Sequence, residues 1–429
     1  MKVGTMKKNR WQNISELYII LDFSASKRFS HDWYYVKLFK DFLSINNSIN
    51  TICWIPKNAD ADISKSLGEE SCYNLLRSPM YGYTKRENFL YWLCDFLISQ
   101  ILRSEKVNSN HFLAERLKNL FSKIYIRAPL LQLAKLKKEY KKISIVVPTT
   151  DPLALRFLIS AHNRKILDAA HLRFLGGENR GPFFFNDENQ MLQKINQEFS
   201  ELYLGCETLP YIDFLKNRTE DRISVVWSPV PTSQGKTKVK IKVQDKSKIK
   251  LGFLGSARPN KGFHQIPGLL DALSKQKIKF EATIQLAVFP WDDYITTLKI
   301  LETSFHSSVK YLNSNLSQEE LEDSFNDIDI LVLPYTLEYY DKAGSGLLFS
   351  AADRNIPIIA TAKLAFEWDL KNFNIGGTYE NLDEFTNLVR LYAFYSDGAF
   401  FNTYNNARNH AVKKFLGISE VKERDIKLK

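Results

Sequence analysis

Short apolar runs rich in Ile, Val and Leu alternate along this chain with longer stretches whose apolar positions recur at helical spacing. The runs have the pattern of strands covered on both faces, and the longer stretches that of amphipathic helices. In the first half LYIILDF is a strand, DWYYVKLFKDFLS a helix and NTICWIP a second strand. Further strands are predicted at ISIVVPTTD, HLRFLGGEN, ELYLGCE and ISVVWSPVP, with a helix at DPLALRFLISAHNRK. In the second half a strand at residue 251 leads into a Gly-containing loop and a helix reaching residue 273, and TIQLAVFPWDD carries the next strand. SVKYL is a strand, and a helix follows whose Ser317 and Glu320 have capping-box spacing. DIDILVLPY, a helix from Leu347 and PIIAT complete the series, and two helices broken at Ser396, Asp397 and Gly398 end it. Strands alternating with helices predict an α/β fold with two parallel, doubly wound sheets.

A change of composition divides the pattern. From Pro229 to about Lys248 the chain passes through PVPTSQG into a Lys-rich run, which predicts a first domain over 1–230, a basic linker over 231–248 and a second domain over 249–395. Residues 396–429 form a terminal helical segment. Ligands of open α/β sheets sit outside the carboxyl ends of the strands. In the first domain those ends carry Asp22, Thr149, Thr150, Asp151, Gly176, Gly177 and Glu178. His31 and Asp32 lie in the loop after the first strand, where a helix begins and where Ser30 could cap it.

Two loops of the second domain have chemistry suited to an anion. One runs through Gly255, Ser256, Arg258 and Lys261; the other is the turn Gly344, Ser345, Gly346, followed by Leu347 and Ser350. Glycines let backbone N–H groups approach a phosphate closely, and a helix amino terminus adds roughly half a positive charge. The plainer alternative is that the glycines only relieve crowding. Tyr335, Tyr339 and Tyr340 stand near the turn, as sugar-lining residues or as core.

The blocks GSARPNKG, LSQEELEDSFNDIDILVLPY and GSGLLFSAADRNIP, in this order and spacing, resemble the donor half of the GT-B glycosyltransferases, of the large retaining group called family 4. The resemblance covers 251–361 and implies two Rossmann-like domains facing a cleft, with the terminal helix returning to the first. It implies a nucleoside diphosphate sugar as donor substrate, no cofactor and no obligatory metal. Arg258 and Lys261 would offset charge growing on the leaving phosphate, with His31 and Asp341 as the other catalytic candidates. Gly255, Ser256, Tyr335, Gly344, Ser345, Gly346, Leu347 and Ser350 would bind the donor, and Asp32, Asp151 and Glu178 the acceptor. Inverting members place a base near the position of His31; in a retaining enzyme it would contact donor or acceptor sugar instead. The family's two glutamates, one associated with the donor sugar and one with the ribose, fall here on Lys342 and Ser350, with Asp341, Glu338 and Asp353 nearby. The family's arginine position holds Ser256, two residues before Arg258. The implied activity is hexosyl transfer to a glycan or lipid-linked acceptor in surface polysaccharide assembly. The alternatives are a nucleotide- or glycan-binding protein without turnover and a sugar-nucleotide epimerase.

Charge adds one feature. The net +11 is local: 101–142 holds eleven Lys or Arg against three Glu, and 235–250 seven Lys against one Asp. Residues 115–142 interleave lysines with Leu, Ile, Phe and Tyr, a surface suited to anionic lipid headgroups or a solvated helix face. No nucleic-acid-binding module is recognisable. Four cysteines, Cys53, Cys72, Cys94 and Cys206, have no CxxC spacing and read as buried thiols of a reducing compartment. The basic amino terminus lacks the apolar core of a secretory signal, and no run approaches the ~20 apolar residues needed to span a bilayer. Together these predict a cytoplasmic protein.

Overall fold

In the computed structural model the described residues are 16–22, 31–45, 50–56, 63, 65, 67, 72–75, 123, 126–150, 152–175, 201–218, 224–232, 248–287, 293–313, 316–393 and 398–418. The first sheet has the strands β1 (Glu16–Leu21), β2 (Asn50–Pro56), β3 (Cys72–Leu75), β4 (Lys142–Val147), β5 (Ala169–Phe174), β6 (Glu201–Cys206) and β7 (Val225–Trp227). The described strands take the order β3-β2-β1-β4-β5-β6-β7. Between them run α1 (His31–Ser44), α2 (Pro152–Asn163) and α3 (Leu209–Arg218). β1 and β4, the central pair, are buried from their second residues onward, as their unbroken apolar sequences require.

The second sheet has β8 (Ile249–Phe253), β9 (Phe280–Gln285), β10 (Val309–Leu312), β11 (Ile330–Leu333), β12 (Ile358–Thr361) and β13 (Gly376–Tyr379), ordered β10-β9-β8-β11-β12-β13. Its helices are α4 (Ile266–Lys275), α5 (Tyr294–Ser304), α6 (Gln318–Asn326), α7 (Leu337–Tyr340), α8 (Gly346–Ala352), α9 (Glu367–Asn372), α10 (Leu382–Ala393) and α11 (Gly398–Phe415). Described pairings in both sheets are parallel. Each sheet steps outward from its first strand, then reverses, so each has a topological switch point, at β1/β4 and at β8/β11. The expected doubly wound α/β fold is therefore present twice.

One hydrophobic cluster supports the second sheet. Leu269, Leu270 and Leu273 of α4 and Phe385 and Val389 of α10 meet Leu251, Ile284 and Val332 of the strands. The predicted capping box closes α6: Ser317 Oγ accepts from Glu320 N–H at 3.2 Å, and the Glu320 carboxylate accepts from Ser317 N–H at 2.7 Å. Asp329 is buried at the start of β11, where its carboxylate accepts from Lys250 N–H at 3.0 Å and its N–H donates to the Lys250 carbonyl. It closes the entrance of the strand.

Among the elements that carried no signal in the pattern, three are short. β13 is GGTY, too short and glycine-rich to read as a strand; a Cβ on Gly376 would stand 2.0 Å from the Ile358 carbonyl oxygen. Close pairing with β12 explains that glycine. β3 (CYNL) and α7 (LEYY) are short pieces held by neighbouring structure. The helix expected at NFLYWLCDFLISQIL, and most of the basic stretches, lie outside the described residues; 126–136 are helical. Cys53 and Cys206 are buried and not joined in a disulfide.

By density of contacts the chain forms two compact units, 1–173 with 184–203, and 174–183 with 204–429. The end of β6, α3, β7 and the terminal helix α11 thus belong with the second sheet's unit. Within it Arg408 of α11 is wholly buried, paired with Asp353 at 2.7 Å and donating to the carbonyls of Val230 and Pro231 at 3.0 and 3.3 Å.

Candidate functional site

The switch point of the second sheet brings two loops side by side, because β8 and β11 are paired neighbours. β8 ends at Phe253, and Gly255 turns the chain with φ +85° while its N–H donates to the side-chain oxygen of Gln285 at 2.6 Å. Arg258 is extended and exposed, and a 3-10 turn over Pro259–Lys261 follows. Gly262 has φ +68°, and a Cβ there would lie 1.6 Å from the Pro334 carbonyl oxygen. Only glycine lets the first loop sit on the exit of β11. Thr336 then holds it, its N–H donating to the Asn260 carbonyl at 3.0 Å.

Between the loops is a small pocket lined by Gly255, Lys261, Gln285 and Tyr335 and by the apolar Phe253, Ile284 and Val332. Lys261 Nζ lies 5.6 Å from the centre of the Tyr335 ring. The residue is partly covered and lines the pocket. Among the described residues no carboxylate pairs with it. Desolvation first, and the neighbouring Arg258 charge second, push its pKa down to about 8. Such a depression corresponds to roughly 3 kcal/mol of disfavoured charge.

The glycine turn adjoins this pocket. Leu347, at its end, lies 3.0 Å from where a Cβ on Gly255 would be, so the turn touches the first loop. Ser345 is buried, its Oγ 3.4 Å from the Tyr335 hydroxyl. Tyr335 and Tyr340 are both buried, with ring centres 4.3 Å apart. Burial raises both phenol pKa values far beyond the usual range, and both stay neutral.

Glu207, just after β6, lies on the other side of the turn. It is 5% exposed, and a Cβ on Gly344 would stand 2.4 Å from its Oε2. The Thr208 hydroxyl donates to the Lys342 carbonyl at 2.6 Å. Gly344 thus leaves room for a carboxylate. The structure assigns it at least the steric role that was one of its two sequence readings.

The remaining candidates divide. Asp341 pairs with the ammonium of Lys342, which lies 5.5 Å from the Phe214 ring. Ser350 is partly covered, and its carbonyl accepts from Arg354 at 2.8 Å. Asp353 is taken by Arg408, and Glu338 is exposed. Ser256 and Gly346 are partly covered members of the two loops. In the first sheet His31 and Asp32 open α1, but their side chains lie outside the described residues, as do Asp151 and Glu178 altogether. Asp22 is buried where β1 ends, its N–H donating to the Trp54 carbonyl.

Sequence reasoning passed over Glu207, Gln285 and Asp369. The first two stand at carboxyl ends of parallel strands, the position already used to choose Asp22 and Glu178, and that rule would have found them. Asp369 of α9 had no such signal. It is buried, accepts from the Tyr404 hydroxyl at 3.1 Å, and has its pKa raised to about 7, chiefly by burial.

The fold is that of the GT-B glycosyltransferases. Among solved structures, the chain is similar to a glycosyltransferase from Rickettsia africae, with TM-score 0.56 and 11% identity over 95% of this chain and 100% of that one. It is similar to Anabaena HepE in complex with UDP, with TM-score 0.54 and 11% identity over 94% and 97%. It is also similar to WaaG, a glycosyltransferase involved in lipopolysaccharide biosynthesis, with TM-score 0.51 and 11% identity over 95% and 100%. At such identities the likeness is one of fold. No family model and no curated protein matches the sequence.

Proposed function

We propose that the chain is a glycosyltransferase that moves a hexose-type unit from a nucleoside diphosphate sugar to a glycan or lipid-linked acceptor. The observation that carries this reading is Lys261: a pocket-lining, partly desolvated ammonium without a carboxylate partner among the described residues, beside the glycine loop of a GT-B switch point. Burying an ion costs several kcal/mol unless a counter-charge meets it. A diphosphate would supply that charge.

In the proposed reaction Lys261 and Arg258 hold the diphosphate and stabilise the charge it gains as the glycosidic bond breaks. Donors aimed in advance at developing charge often lower a barrier more than any other single effect. These two cations supply the positive charge in this proposal, which calls for no metal. Gly255 and the 344–346 turn shape the donor side; Asp32, Asp151 and Glu178 are assigned to the acceptor side, and His31 and Asp341 are kept as catalytic candidates. A retaining outcome, a role in surface polysaccharide assembly and a cytoplasmic location belong to the same proposal. Among the described residues no helix is long and apolar enough to cross a membrane. Contact with anionic lipid through 115–142 is proposed as the route to a lipid-linked acceptor. A binding protein without turnover remains the second reading, favoured by the absence of carboxylates at 342 and 350.

The test is calorimetric titration with UDP, GDP and ADP and their glucose conjugates, on wild type and on the Arg258→Ala, Lys261→Ala double variant. Saturable wild-type binding that the variant loses supports the donor site, and release of free nucleotide during turnover then separates enzyme from binder. No binding at millimolar concentration overturns the reading.

A further inference from the structure

Gln285 is the last residue of β9, lines the Lys261 pocket and is 8% exposed. Its amide oxygen accepts from the Gly255 N–H at 2.6 Å. β9 is the parallel neighbour of β8, with Ile284 opposite Phe253, so this acceptor stands on a paired strand and not on a loop. The Gly255 N–H, one of the anion donors expected of the first loop, is therefore taken up within the chain. What the loop presents beside it is an ammonium: a Cβ on Gly255, whose φ is +85°, would stand 2.5 Å from Lys261 Nζ. Gln285 fixes Gly255, and Gly255 is the surface that Lys261 rests against.

The chemistry of the acceptor matters as much as its place. A glutamate has the same length, and its carboxylate would receive the N–H in a stronger, charge-assisted bond. It would also set a negative charge in the pocket that Lys261 lines. The amide supplies the hydrogen bond without that charge. In keeping with this, the downward push on the Lys261 pKa comes from desolvation and Arg258, with no acid opposing it.

Resting on the donor reading above, we propose that Gln285 is a positioning residue of the donor loop: its neutral amide holds Gly255, and through it Lys261, while leaving the ammonium's charge to the diphosphate. Gln285 acts through these two residues and need not touch the donor.

The experiment compares wild type with Gln285→Glu and Gln285→Met in two measurements. The first follows the titration of Lys261 without nucleotide, by NMR of reductively methylated lysines assigned with Lys261→Met. Gln285→Glu should move that titration upward by about one pH unit or more, and Gln285→Met should not raise it. The second is calorimetry with UDP, or whichever of GDP and ADP wild type binds. Both variants should weaken binding about tenfold, Gln285→Glu by supplying a counter-charge and Gln285→Met by releasing the loop. Only in Gln285→Glu should the decline of affinity with pH move above its wild-type position. An unmoved Lys261 titration in Gln285→Glu, or unchanged affinity in either variant, overturns the proposal and leaves the donor reading standing. Failure of wild type to bind any nucleotide overturns the donor reading itself. Melting curves check folding. Should Gln285→Glu not fold, Gln285→Met decides the matter: weaker binding that declines at the wild-type pH sustains the proposal, and unchanged affinity or a displaced decline refutes it.

Discussion

Two cations in the second unit, one buried and one partly covered, are treated in opposite ways. Arg408 is wholly enclosed, with the Asp353 carboxylate at 2.7 Å and the carbonyls of Val230 and Pro231, and its guanidinium lies 4.9 Å from the Phe349 ring centre. Lys261 is partly desolvated and lies near the Tyr335 ring and the like charge of Arg258, with no carboxylate pairing with it among the described residues. Arginine's planar fork suits a fixed set of acceptors, and a lysine ammonium is a compact charge whose pKa yields when buried. A cation satisfied within the chain belongs to the architecture, whereas one left with charge in excess is available to a ligand.

The contrast breaks most visibly at Arg408. Arg408→Ala leaves Asp353 buried without its counter-ion and frees the carbonyls of Val230 and Pro231. It is expected to cost about 3–5 kcal/mol, read as a shifted denaturant midpoint. Lys261→Met should do the reverse: stability is unchanged or raised, because a disfavoured charge is removed, while affinity for a nucleoside diphosphate falls about 10- to 100-fold. A large stability loss in Lys261→Met would place it with Arg408.

The pH dependence sharpens the same contrast. With a folded pKa of about 8 against the usual 10.5, Lys261 binds fewer protons folded than unfolded between those values, so its contribution to stability rises with pH across that window. An anionic ligand needs the charged form. Nucleotide affinity in wild type should therefore decline above about pH 8, with proton uptake on binding near that pH, both measurable by calorimetry in buffers of different ionisation enthalpy.

The smallest effect is expected at Asp369. Its pKa is raised to about 7, above the usual carboxylate value, so the folded form binds more protons between pH 4 and 7 and its contribution falls as pH rises. The Tyr404 hydroxyl and Arg408 oppose this shift, and Glu207 reinforces it. Asp369→Asn keeps an acceptor for Tyr404 without the charge. It should raise the melting temperature modestly above pH 7 and flatten its fall from pH 5 to 8.

Particular elements show how far a reading of the residues could go. ILVL of β11 and the Ser317 to Glu320 capping box were legible because each is local: an apolar run has few alternatives, and a cap needs only its own turn. The two loops were legible as anion-suited for the same reason. GGTY of β13 was not, since its glycines answer a neighbouring strand. Lys342 and Ser350 were visible as departures from the family's carboxylates, but Glu207 lies well over a hundred positions upstream, and no local pattern ties it to Gly344.

The amino-acid pattern by itself determined that this protein has two parallel, doubly wound sheets, with glycine loops in the second bearing Arg258 and Lys261, because periodicity and turn chemistry act over a few residues. Tertiary structure decided which charge is spent within the fold and which is not. Arg408 finds Asp353 and Glu207 reaches Gly344, while Lys261 meets no carboxylate among the described residues. These outcomes depend on burial and on distances across strand crossovers, where a removed water molecule or a missing Cβ changes a charge's energy by several kcal/mol.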